Sequence, residues 1–199
     1  MDRKNERTYY DSLSSIFENE LESNLGSDWS VVCVNNTGSA NLRTQVNEIC
    51  ERLKLHQLGG KFPEIFTDLV IGITNGDGQL RLAKIEVKGP AKNLSLKDYS
   101  QLVGYLQVAG LIQVGALLLI EQETIPSPVS GDLKKLINSG RLLVEWDVSS
   151  RENNKLSSFK TGICSYVPNG LVDWVDLRTM GGISKWSELA QAIKASEPI

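Results

Sequence analysis

The stretch DLVIGITNGDGQLRLAKIEVK, residues 68–88, decides the fold. Two runs rich in β-branched and aliphatic residues, IFTDLVIGIT and LRLAKIEVK, flank NGDG, whose glycines and Asn/Asp favour a tight hairpin turn. If the loop is Gly76–Gly78, Asn75 faces Gln79 and the same register carries Asp68 directly opposite Glu86. Side chains alternate along a strand, so Lys84 and Lys88 share the face of Glu86, while Ile85 and Val87 take the other. A loop one residue shorter or longer would send the two carboxylates to opposite faces. Charges in the middle of an apolar strand are either a solvated face, with Glu86 paired to Lys84 or Lys88, or a functional site.

Outward from the hairpin, the pattern predicts a helix over about 6–25, with Tyr10, Leu13, Phe17, Leu21 and Leu25 as its buried stripe and Gly26 as its stop. WSVVCV (29–34) reads as a strand, and 40–55 as a second helix. Downstream, Ser95 with Asp98 forms a capping box for a helix over 95–109 that Gly110 ends. VGALLLIEQ (114–122) is a buried strand, 131–140 a short helix, RLLVEWDV (141–148) a further strand, and 185–195 a final helix. This order predicts an α/β fold, a three-layer α/β/α core around a central mixed β-sheet, in one domain of residues 1–199. The catalytic core is expected at about 6–148, with 149–199 as a C-terminal elaboration.

Composition limits the function. At 199 residues and 41% hydrophobic content the chain can bury a real core. The N-terminal MDRKNERTYY holds no apolar signal region, and no apolar run approaches the ~20 residues of a spanning helix. These features predict a cytoplasmic protein with no membrane association. Cys33, Cys50 and Cys164 are scattered, with no CxxC pair, and His56 is the single histidine, so a Cys/His zinc site and a histidine-based triad are disfavoured. A net charge of −3 leaves nucleic-acid binding open, because phosphate contacts can lie on a local basic surface. Lys134, Lys135, Lys155 and Lys160 are candidates for such contacts, as is the polar stretch 149–162; a solvated surface is the plainer reading of each. NGDGQLR is followed by a strand, not a helix, which counts against a nucleotide-binding loop.

Asp68 and Glu86, brought together from adjoining strands, form an oxygen-rich pair suited to a hard divalent cation such as Mg²⁺. The Lys88 ammonium, one pleat along, can orient a water or offset charge developing on a phosphate. Gln101 and Tyr105 stand four apart on one face of the next helix.

An acid, a hairpin and Glu-x-Lys resemble the PD-(D/E)xK nuclease superfamily, and QLVGY (101–105) is similar to the QxxxY element of its RecB-type branch. The resemblance covers about residues 65–121 and implies an αβββαβ restriction-endonuclease-like core. It further implies Mg²⁺-dependent cleavage of double-stranded DNA, with Mn²⁺ able to substitute. On that resemblance Asp68 and Glu86 bind metal, Lys88 assists the water, and Gln101 and Tyr105 support the site or touch the DNA backbone. Many members add a glutamate from the first helix. Glu20 is favoured for that place, as a third metal ligand, with Glu18 close behind. Thr67 stands where the family places proline. A restriction-type endonuclease acting as a homodimer is the leading expectation. A structure- or end-specific repair nuclease and a non-catalytic DNA-binding protein are the alternatives.

Overall fold

The computed structural model describes residues 4–36, 40–59, 62–89, 93–121, 128–149, 156–168 and 170–199, without the side chains of 4–5. Residues 150–155 of the polar stretch 149–162, Lys155 among them, lie outside the described residues.

The hairpin takes the expected register. Strands β2 (Leu69–Asn75) and β3 (Leu80–Lys88) pair antiparallel, Leu69 with Ile85 and Thr74 with Leu80. At the turn, the Gly78 N–H donates to the Asn75 carbonyl at 3.1 Å, and Gly78 has φ +73°, a conformation that glycine adopts without a Cβ penalty. Asp68 stands one residue before the ladder, where the same register continues it opposite Glu86.

Around this pair a seven-stranded mixed sheet is built in the order β1–β2–β3–β4–β6–β5, with β7 beside β6. β1 (Trp29–Asn35) is antiparallel to β2; β4 (Val114–Ile120) is parallel to both β3 and β6 (Leu156–Tyr166); β5 (Glu145–Ser149) and β7 (Val172–Trp174) are antiparallel to β6. β4 is buried along its whole length, as a central parallel strand covered on both faces must be.

Helices cover both faces, so the predicted three-layer α/β arrangement holds. On one face α2 (Tyr10–Leu25) and α6 (Trp186–Ala195) bury Leu13, Phe17, Leu21, Leu189 and Ile193 against Ile71, Ile85, Val87 and Leu118. On the other, α3 (Leu42–Arg52) and α4 (Leu96–Ala109) bury Val46, Ile49, Leu102 and Leu106 against Val70, Leu82 and Leu117. Ser95 and Asp98 form the predicted capping box, and α5 (Gly131–Asn138) starts at a Ser130 cap.

The structure corrects two boundaries. Residues 149–199 are no peripheral elaboration: β6 lies inside the sheet between β4 and β5, and α6 fills one helical layer. The first helix is broken into a single turn, α1 (Lys4–Arg7), and α2, with Thr8 and Tyr9 as the joint. That break matters because it lets α1 turn over the end of β3.

Candidate active site

Glu86 and Lys88 sit at the C-terminal end of β3, where it runs parallel to β4, the position at which open α/β sheets expose their sites. Asp68 is held there from two sides. Its Oδ2 accepts from the Val87 N–H at 2.8 Å, and its Oδ1 accepts from the Tyr10 hydroxyl at 2.7 Å, so both neighbouring layers fix the carboxylate. Its own carbonyl accepts from the Asn36 N–H at 2.8 Å. The preceding residue, Thr67, is buried and donates its hydroxyl to Gln45 of α3. A buried side-chain hydrogen bond thus ties the residue before Asp68 to α3.

Glu86 is buried and gripped by two ammonium groups. Lys84 Nζ is 2.6 Å from Oε2 and Lys88 Nζ is 2.7 Å from Oε1. Lys88 also donates to Gln101 Oε1 at 3.2 Å, and Gln101 Nε2 donates to the Tyr105 hydroxyl at 3.0 Å. Lys84 is wholly buried, its Nζ 3.7 Å from the centre of the Tyr105 ring, within range for a cation–π contact. Asp68, Glu86, Lys88, Gln101 and Tyr105 thus all line one cleft of about 340 Å³, together with Glu6, Arg7, Tyr10, Asn36, Phe66 and Val87.

Burial, and then the neighbouring Glu86 charge, push the Asp68 carboxyl up to about 6 against the pull of its hydrogen bonds and of Lys84. Burial lowers Lys84 despite the carboxylate beside it. For Lys88 burial also acts downward, but Glu86, Asp68 and Asp98 together outweigh it and the ammonium is held above its usual range. Tyr10 is raised by burial and by Asp68, so its phenol stays protonated and donates.

Glu20 is not in this group. It lies ten residues along α2 from Tyr10, about 15 Å at 1.5 Å per residue, and does not line the cleft. Glu18 is committed elsewhere: its Oε1 accepts from the Cys33 N–H and pairs with Arg52 Nη2, both at 2.7 Å. The carboxylate that does reach the cleft from the N-terminal segment is Glu6, whose Oε1 accepts from the Gly89 N–H at 2.7 Å. A Cβ on Gly89 would stand 2.7 Å from Glu6 Cγ, so the glycine makes room for α1. Nothing in the helical periodicity marks Glu6, because the break at Thr8–Tyr9 removes it from the stripe. Phe66 was also missed; it is 57% exposed at the cleft edge.

Lys134 and Lys135 lie on α5, away from the cleft, and Lys160 pairs with Glu145 at 3.2 Å.

The donor set can be judged against a metal. Among the described residues no three His, Cys, Asp or Glu side chains converge. Mg²⁺, however, is held by one or two carboxylates with water and substrate oxygens completing its shell. Asp68 and Glu86 supply two hard oxygen donors on an open polar cleft. Burial and, after it, the Glu86 charge raise Asp68, and a cation would relieve the second of these. The residues fit such an ion.

No protein-family model matches the chain, and no curated protein matches it either. Among the described residues no helix is long and apolar enough to cross a membrane.

Proposed function

We propose that this protein is a Mg²⁺-dependent deoxyribonuclease that hydrolyses phosphodiester bonds by water attack, in the manner of the PD-(D/E)xK enzymes. The observation that carries the reading is the meeting of Asp68 and Glu86 across the hairpin beside Lys88, in a cleft that also holds Gln101 and Tyr105. Asp68 and Glu86 would hold the cation, which when bound polarises the phosphodiester and acidifies a water. Lys88 presents its ammonium to the phosphate or to the attacking water, and Gln101 keeps that ammonium at the cleft wall. Asp68 depends on Tyr10 and the Val87 N–H for its position, and reactivity depends on position at sub-ångström precision.

Double-stranded DNA is the proposed substrate, and a homodimer would place two such clefts on opposite strands. A second reading, an end- or structure-specific nuclease, gains weight from the Gln101–Lys88 hydrogen bond, which gives the RecB-like element a direct part in the site. Incubating plasmid and linear DNA with the protein and Mg²⁺ or Mn²⁺, then sequencing the ends, separates the two. Motif-defined ends support restriction-type cleavage, and products that start only at ends or junctions support the second reading. Asp68→Ala, Glu86→Ala and Lys88→Ala should each lower cleavage at least about a hundredfold. DNA binding with no cleavage under either metal would make the protein a binding module.

A further inference from the structure

The contacts around Glu86 close into a ring. From Glu86 Oε1 the path runs through Lys88 Nζ to Gln101, from Gln101 to the Tyr105 hydroxyl, across the Tyr105 ring to Lys84 Nζ, and back to Glu86 Oε2. The two lysines in this ring are not equivalent. Lys84 has a side-chain exposure of 0%, with its ammonium between a carboxylate oxygen and an aromatic face. Lys88 is 23% exposed and lines the cleft. One oxygen of Glu86 therefore faces an interior partner with no path to solvent, and the other faces a partner that can swing into the cleft.

We propose that Lys84 is a positioning residue that permanently occupies Oε2 of Glu86, leaving Oε1 as the single oxygen offered to the metal, with Lys88 as the exchangeable partner that vacates it. The inference rests on the reading of Asp68 and Glu86 as metal ligands. Charge supports the exchange. Lys84, Lys88, Asp68 and Glu86 sum to zero when all are ionised, so the cleft is balanced before a cation arrives. A divalent ion then leaves an excess of positive charge, and a freed Lys88 beside it suits an incoming phosphodiester. Tyr105 serves both sides of the ring: its aromatic face carries Lys84 while its hydroxyl anchors Gln101. The four-residue spacing of Gln101 and Tyr105 on α4 puts both contacts on the one helix face above β3.

The test measures Mn²⁺ binding calorimetrically, without DNA, for the parent, Lys84→Met and Tyr105→Leu, and then compares kcat and KM on plasmid DNA. Lys84→Met removes a buried positive charge from the ligand and frees its second oxygen. Mn²⁺ should bind about tenfold tighter, while kcat falls about tenfold or more because the carboxylate is no longer held in one orientation, with KM little changed. A damaged fold would weaken both, so the opposite directions are the signature. Unchanged or weaker Mn²⁺ binding in a folded Lys84→Met protein overturns the proposal. If that variant does not fold, Tyr105→Leu, which loosens Lys84 without altering the strand, should still tighten Mn²⁺ by about threefold, and no change there overturns it equally. A parent that binds no Mn²⁺ sinks both this inference and the metal reading beneath it. Tighter binding in Lys84→Met with no DNA cleavage by the parent upholds the role of Lys84 and rejects the nuclease.

Discussion

The Asp68 carboxylate accepts the backbone N–H of Val87 at 2.8 Å, so the first acid of the site is tied to the peptide that directly follows the second. The two carboxylates cannot drift apart without breaking that hydrogen bond. Their closeness has an energetic cost, since burial and Glu86 together raise Asp68 to about 6 from an ordinary 3.8.

That cost gives a pH prediction. Between pH 3.8 and about 6 the folded protein keeps a proton on Asp68 that the unfolded chain has released. Stability falls wherever the native state binds more protons, so this contribution is fully present below the unfolded pKa and is lost as pH rises through the folded one. Measured by urea unfolding without metal, the parent should lose about 1–2 kcal/mol relative to Asp68→Asn between pH 5 and 7.5. Excess Mg²⁺ should cancel that loss in the parent and leave the variant unmoved. A pH-independent difference between the two proteins would mean that Asp68 is not raised.

Gln101 acts on Lys88 through one hydrogen bond of 3.2 Å and holds no carboxylate. Gln101→Ala should therefore lower kcat by about tenfold with metal affinity unchanged, because only the orientation of the ammonium is released. Calorimetry with Mn²⁺ alongside initial cleavage rates checks this. A large loss of metal affinity would give Gln101 a different role.

Phe66 predicts on the substrate side. An aromatic ring 57% exposed beside Asp68 is poorly explained by packing and well suited to stacking on a base near the scissile bond. Phe66→Ala should weaken DNA binding by about five- to 150-fold, from the ~1–3 kcal/mol of a stacked base. Metal affinity and unfolding midpoint should not move. Fluorescence anisotropy with single- and double-stranded oligonucleotides reads the effect, and equal affinity to the parent on both would remove Phe66 from the interface.

The legibility of these features in the sequence follows their range. The register of β2 and β3 could be read because NGDG, the turn glycine and strict alternation are all local, and together they fix which face Glu86 takes. The capping box of α4 is local too, and with it the phase of Gln101 and Tyr105. Glu6 could not be read, since its contact with Gly89 spans 83 positions and depends on a break between α1 and α2 that no proline or glycine announces. Lys84 was legible only as a face: its alternation places it beside Glu86, but a lysine in a strand ordinarily means solvent, and only the packed α4 shows that it is sealed. β6 was hidden because its start, Leu156–Ser158, sets an exposed leucine beside two serines that are not buried, and unbroken burial begins only at Thr161, alongside β4.

A close approach of α3 to β2 gives the last prediction. A Cβ on Gly72, in the middle of β2, would lie 2.3 Å from Ile49 Cγ2 and 3.1 Å from Leu80 Cδ1. Ile49 is itself fully buried in α3, so the methyl has nowhere to retreat without moving the helix. Gly72→Ala should destabilise the fold by about 1–3 kcal/mol, the usual cost of forcing extra volume into a filled core. Because α3 also carries Gln45, which holds Thr67 next to Asp68, the displacement should reach the site. Metal affinity should drop with stability in Gly72→Ala, and the double variant Gly72→Ala/Ile49→Val, which removes one methyl from the crowded side chain, should recover part of both. Stability lost without any change in metal affinity would show that the α3–Thr67 contact does not govern where Asp68 stands.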